Sequence, residues 1–217
     1  MRLYFELTKN TQLIPFDYQY QLMGVLHKWL GNNDVHNGIS LYSFGWLKGR
    51  CSINKGLNFG EGATWFISFH DLSIGKIIIS NVMDNPDAFY GMKVNSIQIQ
   101  DDLEFRDEER FFVSSPVLIR KYEDNKAIHL TYKDEEADQL LTQTLTRKLA
   151  LAEINAKAEI KFDRSYNNAK TKLITIKETN NKASLCPVII SGDPIAIQFA
   201  RNVGIGHLTG CGFGAVL

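Results

Sequence analysis

Two successive stretches of this chain change their hydrophobic period in the same order, and that repetition limits the folds open to it. Arg2 to Thr8 alternates as a strand, and Asp17 to Gly31 sets Leu22, Val25, Leu26, Trp29 and Leu30 on one helical stripe. Strand-like segments follow at Ile39 to Leu47 and Thr64 to His70, then a helix over Asp71 to Met83 capped by Asp71 or Ser73, then a strand over Lys93 to Gln100. The order β-α-β-β-α-β is that of a ferredoxin-like unit.

The second stretch repeats it. Strands are predicted at Phe111 to Arg120 and Ala127 to Tyr132, and a long helix at Glu135 to Glu153 with acids in its first turn and Arg147 and Lys148 later, as the helix dipole favours. Strands at Ala158 to Arg164, Lys172 to Glu178 and Leu185 to Ile190 lead to a helix opening at Asp193-Pro194, with Asp193 as N-cap, and to a last strand. The prediction is an α+β protein of two tandem ferredoxin-like units, 1–105 and 106–217, the second with an extra hairpin. The acidic run Asp101 to Glu109 connects them, and 217 residues suffice for two such cores.

Between the last helix and the last strand lies a cluster of glycines: Gly204, Gly206, Gly210, Gly212 and Gly214. Glycine permits positive φ and close approach of another backbone, so the cluster suggests a loop that cradles something polar and charged, with phosphate the first suspect. A nucleotide-hydrolysing P-loop needs a Lys-Ser or Lys-Thr pair after the last glycine, and a dinucleotide fingerprint needs an acid about 20 residues on; neither is present.

Formal net charge is zero, which speaks against a strongly basic nucleic-acid binder. Its distribution is uneven: +1 over residues 1–100, −6 over 101–140 and +5 over 141–217, so a basic face can form from the C-terminal third with Lys48, Arg50 and Lys55. Cys51, Cys186 and Cys211 are far apart and lack metal-ligand spacing, which argues for a reducing compartment and against structural zinc. The start lacks a signal peptide's apolar run and no segment is long enough to cross a bilayer, so a cytoplasmic location is expected.

Four segments then carry a family likeness: Ile14-Pro-Phe-Asp to Val25-Leu-His27 at the first helix, His36-Asn-Gly-Ile-Ser-Leu-Tyr-Ser-Phe44 after it, Val113-Ser-Ser-Pro-Val117, and the loop from Val203-Gly-Ile-Gly206 to Gly212-Phe-Gly-Ala-Val216. In these, and in their order, the chain resembles the CRISPR-associated endoribonucleases that process precursor CRISPR RNA, within the repeat-associated RNA-binding (RAMP) superfamily. The resemblance implies cleavage inside repeats without metal or other cofactor. The RNA's own 2′-hydroxyl attacks the adjacent phosphorus, leaving a 2′,3′-cyclic phosphate or 3′-phosphate and a 5′-hydroxyl. Such a reaction needs a base, an acid and positive charge for the phosphorane, and histidine suits the first two tasks.

His36 occupies the family's usual catalytic-histidine position, in a polar connection between helix and strand. His27 stands where relatives often carry a tyrosine or another histidine. On the helical wheel it lies away from the apolar stripe, with Tyr20 and Gly24, where a glycine fits if another backbone approaches. The pair that the resemblance implies for base and acid is thus His36 with His27. Many relatives have a lysine where this chain has Ser40, leaving Lys48 or Arg50 to supply the charge. For RNA binding the resemblance implies Gly204, Gly206, His207, Gly210, Gly212 and Gly214 with Arg120, Lys121, Arg147 and Lys148, further back-up from Arg164, Lys170 and Lys172, and Tyr42 and Phe44 for base stacking. His70 and His129 read as structural. Partners implied are CRISPR repeat RNA, with effector-complex subunits and a second copy of the chain as further candidates. The alternatives are a catalytically silent RNA-binding subunit of a CRISPR effector complex and a small phosphate-handling enzyme on the same scaffold.

Overall fold

The computed structural model describes residues 1–31, 38–124 and 126–217. Its first unit comprises β1 (Arg2–Leu7), α1 (Gln19–Leu30), β2 (Tyr42–Phe44), a short hairpin of β3 (Ser52–Ile53) and β4 (Leu57–Asn58), β5 (Ala63–Phe69), α2 (Leu72–Asp84) and β6 (Val94–Gln100). The antiparallel sheet has the order β2-β5-β1-β6. Alternation on β1 sends Leu3, Phe5 and Leu7 into the core and Arg2, Tyr4 and Glu6 to the other face. Phe5, Trp29 and Trp65 form the centre of that core, with ring centroids 5.2–5.8 Å apart. Each such buried side chain contributes about 1.5–3 kcal/mol. Asp71 caps α2 as predicted, its carboxylate accepting from the Ser73 N–H at 2.8 Å.

The second unit comprises β7 (Glu108–Phe111), β8 (Ile119–Glu123), β9 (Lys126–Leu130), α3 (Glu136–Leu151), β10 (Ala158–Phe162), β11 (Lys170–Ile176), β12 (Thr179–Leu185), β13 (Val188–Gly192) and α4 (Pro194–Val203). Its sheet runs β10-β13-β7, and the fourth place is filled by residues 215–217 against 112–114. There the Ser114 N–H donates to the Ala215 carbonyl at 2.7 Å and the Leu217 N–H to the Phe112 carbonyl at 2.9 Å. Both units therefore have the ferredoxin-like strand order.

The structure corrects details of the second unit. The strand predicted over Phe111 to Arg120 is two strands, β7 and β8. Between them Pro116 has no N–H to give a ladder, and Ser114 and Ser115 bond Ala215 instead. Pro187 likewise separates β12 from β13 where a single strand was predicted, and there are two extra hairpins, β8–β9 and β11–β12. Asp193 stands at the N-cap of α4 with Pro194 after it, as predicted, but its carboxylate accepts from the Lys157 N–H at 2.7 Å and not from the first turn of the helix.

Polar side chains join the units. Arg2, 1% exposed, donates to Ser68 Oγ at 2.6 Å and to the Val216 carbonyl at 2.6 Å. Ser43 Oγ donates to the Asn202 carbonyl at 3.2 Å, and Trp46 Nε1 to the Gly212 carbonyl at 3.0 Å. The hairpin β11–β12 crosses the junction, placing Lys172 over the Trp46 ring at 4.5 Å and Lys177 over the Tyr20 ring at 5.5 Å.

Candidate nucleic-acid interface

Strand alternation and helix spacing bring a set of cations to one place. On β8, Arg120 and Tyr122 are two residues apart and share a face, whereas Lys121 points the other way and pairs with Glu136 at 2.7 Å and Glu123 at 3.1 Å. On α3, Thr144, Arg147 and Lys148 stand at i, i+3 and i+4 on one side. Together with Gly38, Ile39 and Ser40 from the first unit, and Gly206, His207, Leu208 and Thr209 from the glycine loop, they line a pocket of about 420 Å³. Among the described residues that line it there is no carboxylate.

His207 is fixed at both ends of its chemistry. Its backbone N–H donates to the Leu118 carbonyl at 2.8 Å, and its Nδ1 accepts from the Arg120 N–H at 3.2 Å. A neutral imidazole with Nδ1 accepting carries its proton on Nε2, so Nε2 is a donor. Burial, and then the Arg120 charge, lower its pKa and hold the ring neutral. Arg120 itself donates to Asn181 Oδ1 at 2.5 Å, while its buried Nε has no partner among the described residues.

Lys148 does something other than the sequence implied. It is 3% exposed, and its ammonium donates to the carbonyls of Val203 and Gly204 at 3.1 and 3.0 Å and to Thr209 Oγ1 at 3.0 Å. Three protons meet three acceptors, so Lys148 ties α3 to the glycine loop rather than offering its charge to a ligand. Burial pulls its pKa down to about 7. Arg147, its neighbour, is exposed, with no ion pair among the described residues.

The glycines turn out to serve packing. Gly204, Gly206, Gly210, Gly212 and Gly214 are all buried. At Gly214, with φ +64°, a Cβ would lie 1.9 Å from the Ile205 carbonyl oxygen; at Gly210 it would lie 2.4 Å from Ser40 Oγ. Gly206 is the one glycine of the five on the pocket wall. The loop read from the sequence as a cradle is itself tightly seated between its neighbours.

Other residues named from the sequence fall elsewhere. Tyr42 and Phe44 are 3% and 0% exposed and are core residues, not stacking platforms. Lys48 bridges Thr64 at the opposite end of β5 from the pocket side, and exposed Arg50 pairs with Glu61 at 3.5 Å, so neither stands beside Ser40. The cations that do share the pocket with Ser40 are Arg120 and Arg147. His27 is half-buried on α1, which packs against the 3-10 turn Thr209–Cys211; its Nδ1 is shielded from solvent. Gly24 faces open space among the described residues. His70 packs edge-on against Phe199 at 5.0 Å, and His129 pairs across β8–β9 with Arg120. His36 lies outside the described residues, and Gly38 is where the chain is described again. Sequence reasoning missed Tyr122, Ile39 and Leu208; the i, i+2 relation of Arg120 to Tyr122 was the available signal.

Tandem ferredoxin-like units closed by a seated glycine loop define a protein of RAMP architecture. A Cas6-related protein from Pyrococcus furiosus superposes with a TM-score of 0.86 at 21% identity, over 100% of this chain and 97% of that one. A structure described as an RAMP protein binding different RNA substrates gives 0.82 at 22%, covering 100% and 98%. A Cas6 product complex gives 0.71 at 10%, covering 100% and 97%. Among curated proteins none matches the chain. The family model for the C-terminal part of the CRISPR-associated protein Cas6 matches residues 97–217, and the chain belongs to that family. No helix among the described residues is long and apolar enough to cross a membrane.

Proposed function

We propose that this chain is a metal-independent endoribonuclease that cuts precursor CRISPR RNA within its repeats. The observation that carries the reading is the pocket in which Arg120, Arg147 and His207 from the second unit meet Gly38 to Ser40 from the first, with no carboxylate among its described lining residues. Family membership supplies the substrate class. In the proposed step the 2′-oxygen bonds to the adjacent phosphorus while the bond to the 5′-oxygen breaks. One histidine of the pair His36 and His27 takes the 2′-hydroxyl proton and the other gives a proton to the leaving oxygen. The products are a 2′,3′-cyclic phosphate and a 5′-hydroxyl. Arg147, with Arg120, supplies the charge that a lysine at Ser40 would otherwise bring to the phosphorane.

A silent RNA-binding subunit is the second reading, favoured by Ser40 itself. Incubation with the cognate repeat RNA in EDTA separates the two, using normal RNA and a copy with one 2′-deoxy sugar at the scissile nucleotide. The proposal expects the normal RNA to be cut and the deoxy copy to bind intact. His36→Ala should bind RNA and cut at least about tenfold more slowly, the low end of acid–base catalysis. Cleavage of the deoxy copy, or loss of activity on chelation with recovery in magnesium, would overturn the mechanism.

A further inference from the structure

We infer that the pocket between the units takes a single unpaired nucleotide, with Tyr122 as the platform for its base and Arg147 and His207 Nε2–H as the holders of its phosphate. The inference rests on the RNA reading above and specifies which part of the RNA this pocket takes.

The lining of the pocket combines two chemistries. Part of it offers positive charge and a donor: Arg120 and Arg147, and the Nε2–H that the Arg120 backbone fixes on His207. Acids are within reach of this strand, since Lys121 engages Glu123 and Glu136, but they lie on its opposite face. Among the described residues the pocket face carries cations and no acid, an arrangement suited to a phosphate. Between the cations lies apolar surface in the open: Tyr122 at 65% exposure, Ile39 at 49% and Leu208 at 37%.

One of these exposed groups is held there at a cost. Leu208 has φ +55°, a left-handed backbone that a leucine adopts at about 1–2 kcal/mol. The Tyr122 ring has no aromatic or cationic partner among the described residues, although aromatic pairs are common in the first core. An exposed ring beside a cationic wall is the pattern that proteins use to stack an unpaired base and clamp the adjoining phosphate. The volume of about 420 Å³ is in the range of small-molecule pockets and suits one nucleotide rather than a stretch of duplex.

The test uses the full chain and three probes in titration calorimetry: adenosine 3′-monophosphate, uridine 3′-monophosphate and inorganic phosphate. Both nucleotides are expected to bind at least about tenfold more tightly than inorganic phosphate, in line with one stacked base. Tyr122→Ala should bring the nucleotides down to the level of phosphate, Tyr122→Phe should keep the advantage, and Arg147→Ala should weaken nucleotides and phosphate alike. Equal affinity for nucleotide and phosphate in the native chain means an adventitious ion only and overturns the inference. So does an unchanged nucleotide affinity in Tyr122→Ala, or no saturable binding of nucleotide up to about 10 mM, beyond which the affinity is weaker than about 3 kcal/mol. A chain that binds nucleotides in this manner but leaves repeat RNA uncut refutes the endoribonuclease reading alone. Cutting without nucleotide binding refutes this inference alone.

Discussion

In the first unit the fourth strand, β6, follows α2 closely and pairs with β1 over Val94 to Gln100. In the second unit the corresponding place is filled by three residues, 215–217, which reach it only after the glycine loop has threaded between Ser40, Tyr42 and Phe44 on one side and Leu118 on the other. The first unit is closed by its own chain neighbours, and the second is closed across the junction. The pocket lies on that junction, so the binding wall and the last strand share one set of contacts. Lys148 is the link, since one ammonium group holds both the end of α4 and the turn beside the pocket.

The largest effect should come from Gly214→Ala. A Cβ there meets the Ile205 carbonyl in a left-handed backbone, and the loss should be about 3 kcal/mol or more, a fall in Tm of about 6–12 °C by calorimetry. If the first unit is self-contained, a second transition should stay near the native temperature; a single transition that shifts as a whole would break the contrast between the units.

Lys148 gives the next largest. Its pKa is depressed in the folded state to about 7, below the ordinary value of 10.5, so between these limits the unfolded chain holds a proton that the folded chain has shed. Stability should therefore rise from pH 7 toward 10 and fall again as pH drops back, by at most about 1.4 kcal/mol per unit. Urea midpoints at pH 7.5 and 9.5 check it, and Lys148→Met should flatten the rise. A Lys148→Met chain with the same pH slope as the native one would remove the clamp from the account.

Arg147→Ala should weaken repeat-RNA binding by about 1 kcal/mol and reduce the slope of log affinity against log salt by about one, whereas Lys121→Ala should do neither because Lys121 is engaged by Glu123 and Glu136. Equal effects from the two would mean that the pocket face is not the binding face. The smallest effect belongs to the first unit. Gly24→Ala on the exposed side of α1 should stabilise by about 0.5–1 kcal/mol, read from the urea midpoint, since nothing described there needs a glycine. A fall in RNA affinity in that variant would show that the RNA backbone approaches α1.

The contrast between the units also explains what the sequence could and could not tell. Periodicity placed β1, α1, β5, α2 and β6 because their apolar residues pack into one core, and alternation on β1 alone separates Leu3, Phe5 and Leu7 from Arg2, Tyr4 and Glu6. The second unit was harder to see. Pro116 and Pro187 cut runs that read as single strands, and the partners of Ser114 and Ser115 lie about a hundred residues away. At the site, Arg120 and Arg147 were legible as cations, but the fate of Lys148 was not. Helix spacing puts it beside Arg147 and does not say that the glycine loop will arrive to cover it. The same loop hides Tyr42 and Phe44, whose aromatic character alone had suggested stacking, and Tyr122 is the exposed ring among the described residues of the pocket.

The seating of Trp46 has a practical consequence. Trp29 and Trp65 are sealed in the first core, while half-buried Trp46 donates to Gly212 and lies under Lys172. Of the three indoles, it is the one in contact with the other unit, so its fluorescence emission should shift to longer wavelength when the units part and water reaches the ring. The molecule thus carries its own optical gauge of how firmly its halves are shut, readable without a label and in the presence of any oligonucleotide.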